Sequence, residues 1–117
     1  MKKFLVLYLA PLETMAEWMK RDPEERKEAK VKMQSEWKEW MQEHSSLLSE
    51  TAGAGKTKLV SGNGVTDSKN DLMLYSLAHG DSVDEVAKQF EGHPHLGVPG
   101  ATIEVMEANV LPSMKDF

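Results

Sequence analysis

The chain has 117 residues, 40% of them hydrophobic and 28% charged, which suits one globular domain (residues 1–117) built on a single core. Its formal net charge is -5, with bases interspersed among acids, and this argues against a nucleic-acid surface. It has no cysteine, which removes disulfides, thiolate zinc sites and a cysteine nucleophile, and fits a reducing cytoplasm.

The stretch "FLVLYLA" after Lys2 and Lys3 imitates the basic and apolar regions of a signal peptide. It is short for one, and Pro11 and Glu13 stop it at once, so residues 3 to 9 read as a first strand rich in aromatic and branched side chains. Nothing approaches the ~18 consecutive apolar residues of a membrane-spanning helix, and no membrane partner is expected. Residues 12 to 20 suit a short helix carrying Met15, Trp18 and Met19, broken by "KRDP".

"DPEE" at residues 22–25 marks a helix start: an acceptor at the cap, a proline at the first helical position and acids facing the positive end of the dipole. The helix runs to about His44, with Met33, Trp37, Trp40 and Met41 on one face and charged residues opposite. At about 1.5 Å per residue it spans roughly 30 Å, so it needs a sheet or a partner chain to lie on. Residues 45 to 70 mix small, polar and glycine residues. The branched segment 57–61 is assigned as the second strand, followed by a hairpin through "GNG" where the glycines and Asn63 tolerate positive φ.

"DLMLYSLAHG" alternates as a third strand, with Leu72, Leu74, Ser76 and Ala78 on one face and Met73, Tyr75, Leu77 and His79 on the other. "DSVDE" is a capping box, Ser82 followed by Glu85, that opens a helix whose Val83, Val86, Ala87 and Phe90 point one way. Gly92 suits a left-handed C-terminal cap, and "ATIEVMEA" is a fourth strand. The fold class is therefore α+β: a ferredoxin-like β-α-β-β-α-β order with a four-stranded antiparallel sheet and both helices on one face. The other face is left bare for a second copy, so a homodimer is expected.

Two motifs compete for function. "GAGKT" at residues 53–57 lacks the first glycine of a phosphate loop, because Glu50 stands there, so no nucleotide cofactor is assigned. "GHPHL" at residues 92–96 offers His93 and His95 on either side of Pro94. As a metal pair they need a third ligand from His44, His79, Asp71 or Glu104, and no spacing enforces one; no metal is assigned. As acid–base groups they have the ring chemistry to exchange protons near neutral pH, with Asp71, Tyr8 or Tyr75 as partners. As structural groups, His93 caps the helix C-terminus and His95 fills a polar niche. Tyr8, Trp37 and Tyr75 are the candidate ligand-pocket residues; a tryptophan stripe at helical spacing also suits a core or a dimer interface.

The opening "MKKFLVLYLAP", the segment "NDLMLYSLAHGDSVDEVAKQFEGHPHL" and the closing "IEVMEANVLP" together resemble the YCII-related family of small dimeric α/β-barrel proteins, over almost the whole chain. The resemblance implies a ferredoxin-like protomer, a homodimer formed through the sheets, and pockets between sheet and helices. Most members are bacterial and lack an assigned reaction. Where catalysis has been proposed in the family, a histidine in the first long helix pairs with an acid just before a proline after the second helix. Here His93 stands before Pro94 in place of the acid, and residues 22–43 contain no histidine, so the pocket's location carries over but the pair does not. The resulting expectation is a small-molecule pocket, with proton transfer or elimination by His93 as base, His95 assisting and Asp71 as partner. The alternative is a non-catalytic dimeric binding or interaction protein.

Overall fold

The computed structural model describes residues 1–112. Strand β1 (Lys2–Leu9) is followed by helices α1 (Leu12–Met19) and α2 (Pro23–Glu43), then β2 (Leu48–Gly53), β3 (Thr57–Ser61), β4 (Gly64–Ser68) and β5 (Leu72–Gly80). Helix α3 (Val83–Lys88), a 3-10 turn (Pro94–Gly97) and β6 (Thr102–Glu107) complete the order. Four strands form one antiparallel sheet in the order β2-β5-β1-β6, which is the split β-α-β arrangement expected from the sequence. Among the described residues no helix is long and apolar enough to cross a membrane.

The continuous apolar run of β1 resolves into two faces once its neighbours are in place. Phe4, Val6 and Tyr8 are fully buried and meet Trp40 of α2, Ala78 of β5, and Val86 and Phe90 of the α3 region. Each such apolar side chain contributes about 1.5–3 kcal/mol on burial, so this single layer of contacts holds the helices to the sheet. Leu5, Leu7 and Leu9 alternate onto the other face, which no helix among the described residues covers.

The helix starts follow the sequence in part. Ser82 Oγ accepts the Glu85 N–H at 3.2 Å, and Gly92 is left-handed at φ 74°, as its cap position requires. Val86 and Phe90 are buried, but Val83 is exposed. Asp22 and Pro23 occupy the cap and first positions of α2, yet the Asp22 side chain makes no cap hydrogen bond, leaving the acids of the first turn to complement the dipole.

The second strand differs from its expected place. Residues 57–61 pair only with β4, as a separate two-stranded ribbon, and the strand beside β5 is Leu48–Gly53. A register shift is the physical reason. Leu48 pairs with Ala78 and Glu50 with Leu77, so Ser49 is the extra residue of a bulge. The bulge brings Leu48 and Thr51, three residues apart, to the same face and so erases the alternation that marks a strand. In the ribbon turn the positive φ falls at Gly64, at 116°, and not at Asn63.

Gly80 closes β5 where α3 turns back over the sheet. A Cβ there would lie 2.4 Å from Val86 Cγ2, a branched side chain that is itself buried. Gly80→Ala is expected to lower stability by about 1–3 kcal/mol through overpacking. Gly53→Ala, where nothing lies within 4 Å, should stay near wild type. Urea unfolding followed by tryptophan fluorescence measures both, and equal midpoints would show that the α3 joint yields without cost.

Candidate functional site

A cleft of about 910 Å³ opens between α2, the end of β1 and the 3-10 turn, with Ala10, Met33, Trp37, Met41, Leu74 and His95 among its walls. Met73 lines it beside Leu74, although strict alternation would put the two on opposite faces. Register supplies the reason: Tyr8 pairs with Leu74 and Leu9 with Leu72, so Met73 is left over and released from the alternation.

His95 sits in the 3-10 turn that Pro94 opens, and its ring reaches back to the end of β1, where Nε2 lies 2.8 Å from the Leu9 carbonyl oxygen. A carbonyl oxygen only accepts, so the neutral ring carries its proton on Nε2 and keeps a lone pair on Nδ1. Among the described residues Nδ1 has no hydrogen-bond partner, and it is not sealed from the surroundings. His95 thus keeps one nitrogen without a partner and is itself a wall residue of the cleft, which Lys30 and Lys38 also line.

His93 is placed differently. Its ring is buried at 2% exposure, and Nδ1 accepts the His95 backbone N–H at 3.0 Å, which puts the proton of the neutral ring on Nε2. Nε2 is buried without a partner. Around the ring stand Trp37 and Trp40, each with its centroid 4.4 Å away, and Tyr8 at 5.3 Å. Burial first, then the nearby His95 and His44, lower its pKa to about 4. Protonation would also cost the acceptor that holds the His95 amide, so burial and this bond both favour the neutral ring.

Tyr8 lies under the cleft with its hydroxyl 2.8 Å from Ser76 Oγ, which is in turn 2.6 Å from Thr51 Oγ1. Burial pushes the phenol pKa up, partly offset by the Ser76 bond, so this hydroxyl chain stays neutral and satisfies itself inside the core. The sequence put Ser76 on one face of the third strand with Leu74 and Ala78, without marking which face turns inward. Thr51 carried no signal, because the Ser49 bulge hides its strand.

The structure brings Tyr8, Trp37, His93 and His95 together: Trp37 lies 6.4 Å from His95 and 5.0 Å from Tyr8, centroid to centroid. It does not bring Asp71 or Tyr75 to them. Asp71 accepts the Leu12 N–H on Oδ1 and the Ala10 N–H on its backbone oxygen, anchoring the start of α1. Tyr75 donates to Glu50 Oε2 at 3.0 Å, a bond that raises its phenol pKa together with the Glu50 charge. It belongs to the helix-free face, since its partner Leu7 alternates away from the core. His44 bonds the Trp40 carbonyl through Nδ1 and stacks on the Trp40 ring at 4.1 Å. Among the described residues no three histidine, aspartate or glutamate side chains converge. Sequence reasoning missed Met73 and the lysines Lys30 and Lys38 as wall residues; the lysines shared α2's charged pattern and carried no distinguishing signal.

No protein-family model and no curated protein matches the sequence. Among solved structures, 5-chloro-2-hydroxyhydroquinone dehydrochlorinase (TftG) from Burkholderia phenoliruptrix AC1100, in complex with 2,5-dihydroxybenzoquinone, is similar with a TM-score of 0.52. The match covers 93% of this chain and 94% of that one at 14% identity, which makes the likeness one of fold.

The buried His93 ring makes stability depend on pH. Its folded pKa of about 4 lies below the ordinary value of 6.5, so the unfolded chain takes up the proton first as pH falls. The contribution is fully present above pH 6.5 and is lost toward pH 4, by at most about 3 kcal/mol. His93→Asn retains an acceptor for the His95 amide and cannot titrate there. Urea midpoints across this window should fall less steeply in the variant, and parallel curves would place the titration elsewhere.

Proposed function

We propose that this protein is a YCII-related small-molecule-binding protein of the ferredoxin-like type. We assign its cleft an acid–base reaction, a proton transfer or elimination on a small aromatic or polar compound. The observation that carries the reading is His95, a residue of the cleft wall whose Nε2 is held at the Leu9 carbonyl and whose Nδ1 has no partner among the described residues. In this reading the general base passes from His93, whose two nitrogens are committed or enclosed, to its neighbour two residues on.

The chemistry follows from the tautomer. Nδ1 takes a proton from a hydroxyl or an acidic C–H of the ligand. In an elimination the released electron pair moves into the ligand framework, and the leaving group departs with its bonding pair. The ring becomes an imidazolium at that moment, and its Nε2–H bond to the Leu9 carbonyl strengthens as the donor gains charge. The likeness of fold to a dehydrochlorinase favours elimination. A second reading, non-catalytic binding, is favoured by one observation: Asp71 is engaged at α1, so no carboxylate orients the imidazole.

The same proposal includes a homodimer. Leu5, Leu7, Leu9 and Leu77 stand half-buried on the sheet face that no helix covers, with Tyr75 beside them. A second copy laid on that face by a two-fold axis would cover them, and a stable pair needs about 800 Å² from each partner.

Two measurements test these statements. Light scattering coupled to size exclusion should give a dimer mass at micromolar concentration, and Leu7→Lys should shift it toward monomer; a wild-type monomer refutes the assembly. For the chemistry, a chlorinated hydroxyhydroquinone is offered and chloride release followed. His95→Gln should reduce the rate by about 10²–10⁴-fold with the circular dichroism unchanged. Ligand binding without turnover in the wild type would select the non-catalytic reading.

A further inference from the structure

The cleft beside His95 does not end at Trp37. A second hollow of about 1260 Å³ runs between α1 and α2, and the two share Met15, Met33 and Lys30 in their walls, so they form one continuous groove along α2. The charge along it is uneven. Lys30 and Lys38 stand on the walls of the His95 end, and Arg21, Arg26 and Lys27 join Lys30 on the walls of the α1 end. Among the described residues none of these five cations makes an ion pair, in a chain whose acids outnumber its bases by 19 to 14. The acids of the groove are Glu13 and Glu17, and Glu17 is already met by Lys20 at 3.4 Å. Arg21 lies over the Trp18 ring and Arg26 donates to the Arg21 carbonyl and the Met19 sulfur, which leaves Lys27, Lys30 and Lys38 as the lysines of the groove. A concave surface of apolar side chains with such cations along it is complementary to an anion that carries an apolar body.

We infer that this groove takes an amphiphilic organic acid, its apolar body lying between Met33 and Trp37 toward His95 and its carboxylate group at Lys30 and the α1 end. The inference rests on the proposed reading of the cleft as the ligand site, and it names the ligand's class. Lys30 and Trp37 are two helical turns apart, so the ligand spans about 10 Å from its charge to the ring end. Thioethers suit such a body: Met15, Met33, Met41 and Met73 are unbranched and polarizable, and they repack around different apolar shapes. Binding the anionic group away from His95 also keeps the reacting end of the ligand in the least polar part of the groove.

The test is a matched pair, 2-naphthoate and the neutral 2-naphthalenemethanol, titrated calorimetrically into the full chain at low and high salt. The acid should bind at least about tenfold more tightly at low salt, and its advantage should shrink as salt screens the cations. Lys30→Glu should abolish that advantage, bringing the acid's affinity down to or below the alcohol's. Lys32→Glu makes the same change of net charge at an exposed position outside the groove walls and should preserve it. Equal affinities for acid and alcohol, or the same loss in both variants, would overturn the assignment of an anionic ligand while leaving the cleft a binding site. If neither probe binds, the cleft reading fails, and this inference with it.

Discussion

The backbone N–H of His95 is buried in a turn that has no strand or helix to receive it, and the ring of His93 supplies its acceptor. Much of the site follows from that bond. It fixes the tautomer of His93, commits one nitrogen, and sets the turn so that the His95 ring can swing back onto the Leu9 carbonyl. Pro94 makes the arrangement stiff by removing a donor that the first position of the turn cannot use and by fixing its φ. Two adjacent histidines thereby acquire opposite roles. One is enclosed among indole rings and stays neutral, while the other lines a cleft and keeps one nitrogen without a partner among the described residues.

The aromatic enclosure and the cleft are two sides of the same helix face. Trp40 points into the core against Tyr8, Phe90 and His93, and Trp37, one turn earlier, forms both the lid over His93 and a wall of the cleft. The tryptophan stripe is therefore core and cleft wall together, which is what helical spacing of three allows on a face wider than a single seam. A polar ring inside such an enclosure is satisfied on one nitrogen only. The cost is accepted where the ring's main service is to hold a backbone amide.

Legibility in the sequence followed how local each cause was. Ser82 with Glu85, Gly92, and the shared face of Ser76 and Ala78 are set by neighbours within one element, and their patterns survive in one dimension. The strand at Leu48–Gly53 did not survive, because its bulge at Ser49 is defined only by pairing to Leu77 and Ala78, some thirty residues away. Asp71 looked like a catalytic carboxylate by type alone, and its partner is the amide of Leu12, which no spacing links to it. The different hydrogen bonding of His93 and His95 likewise depends on a carbonyl of β1 that the topology brings beside the turn.

The ribbon of β3 and β4 pairs only with itself, keeps Leu59, Val60 and Val65 exposed, and adds no residue to the core cluster. An isolated pair of strands is marginal in water, so the ribbon is expected to open at a lower free energy than the central sheet. The chain thus contains two unequal cooperative units. Loss of the ribbon's amide protection ahead of the sheet's would report a local event, and among the described residues none of residues 57–68 lines the cleft.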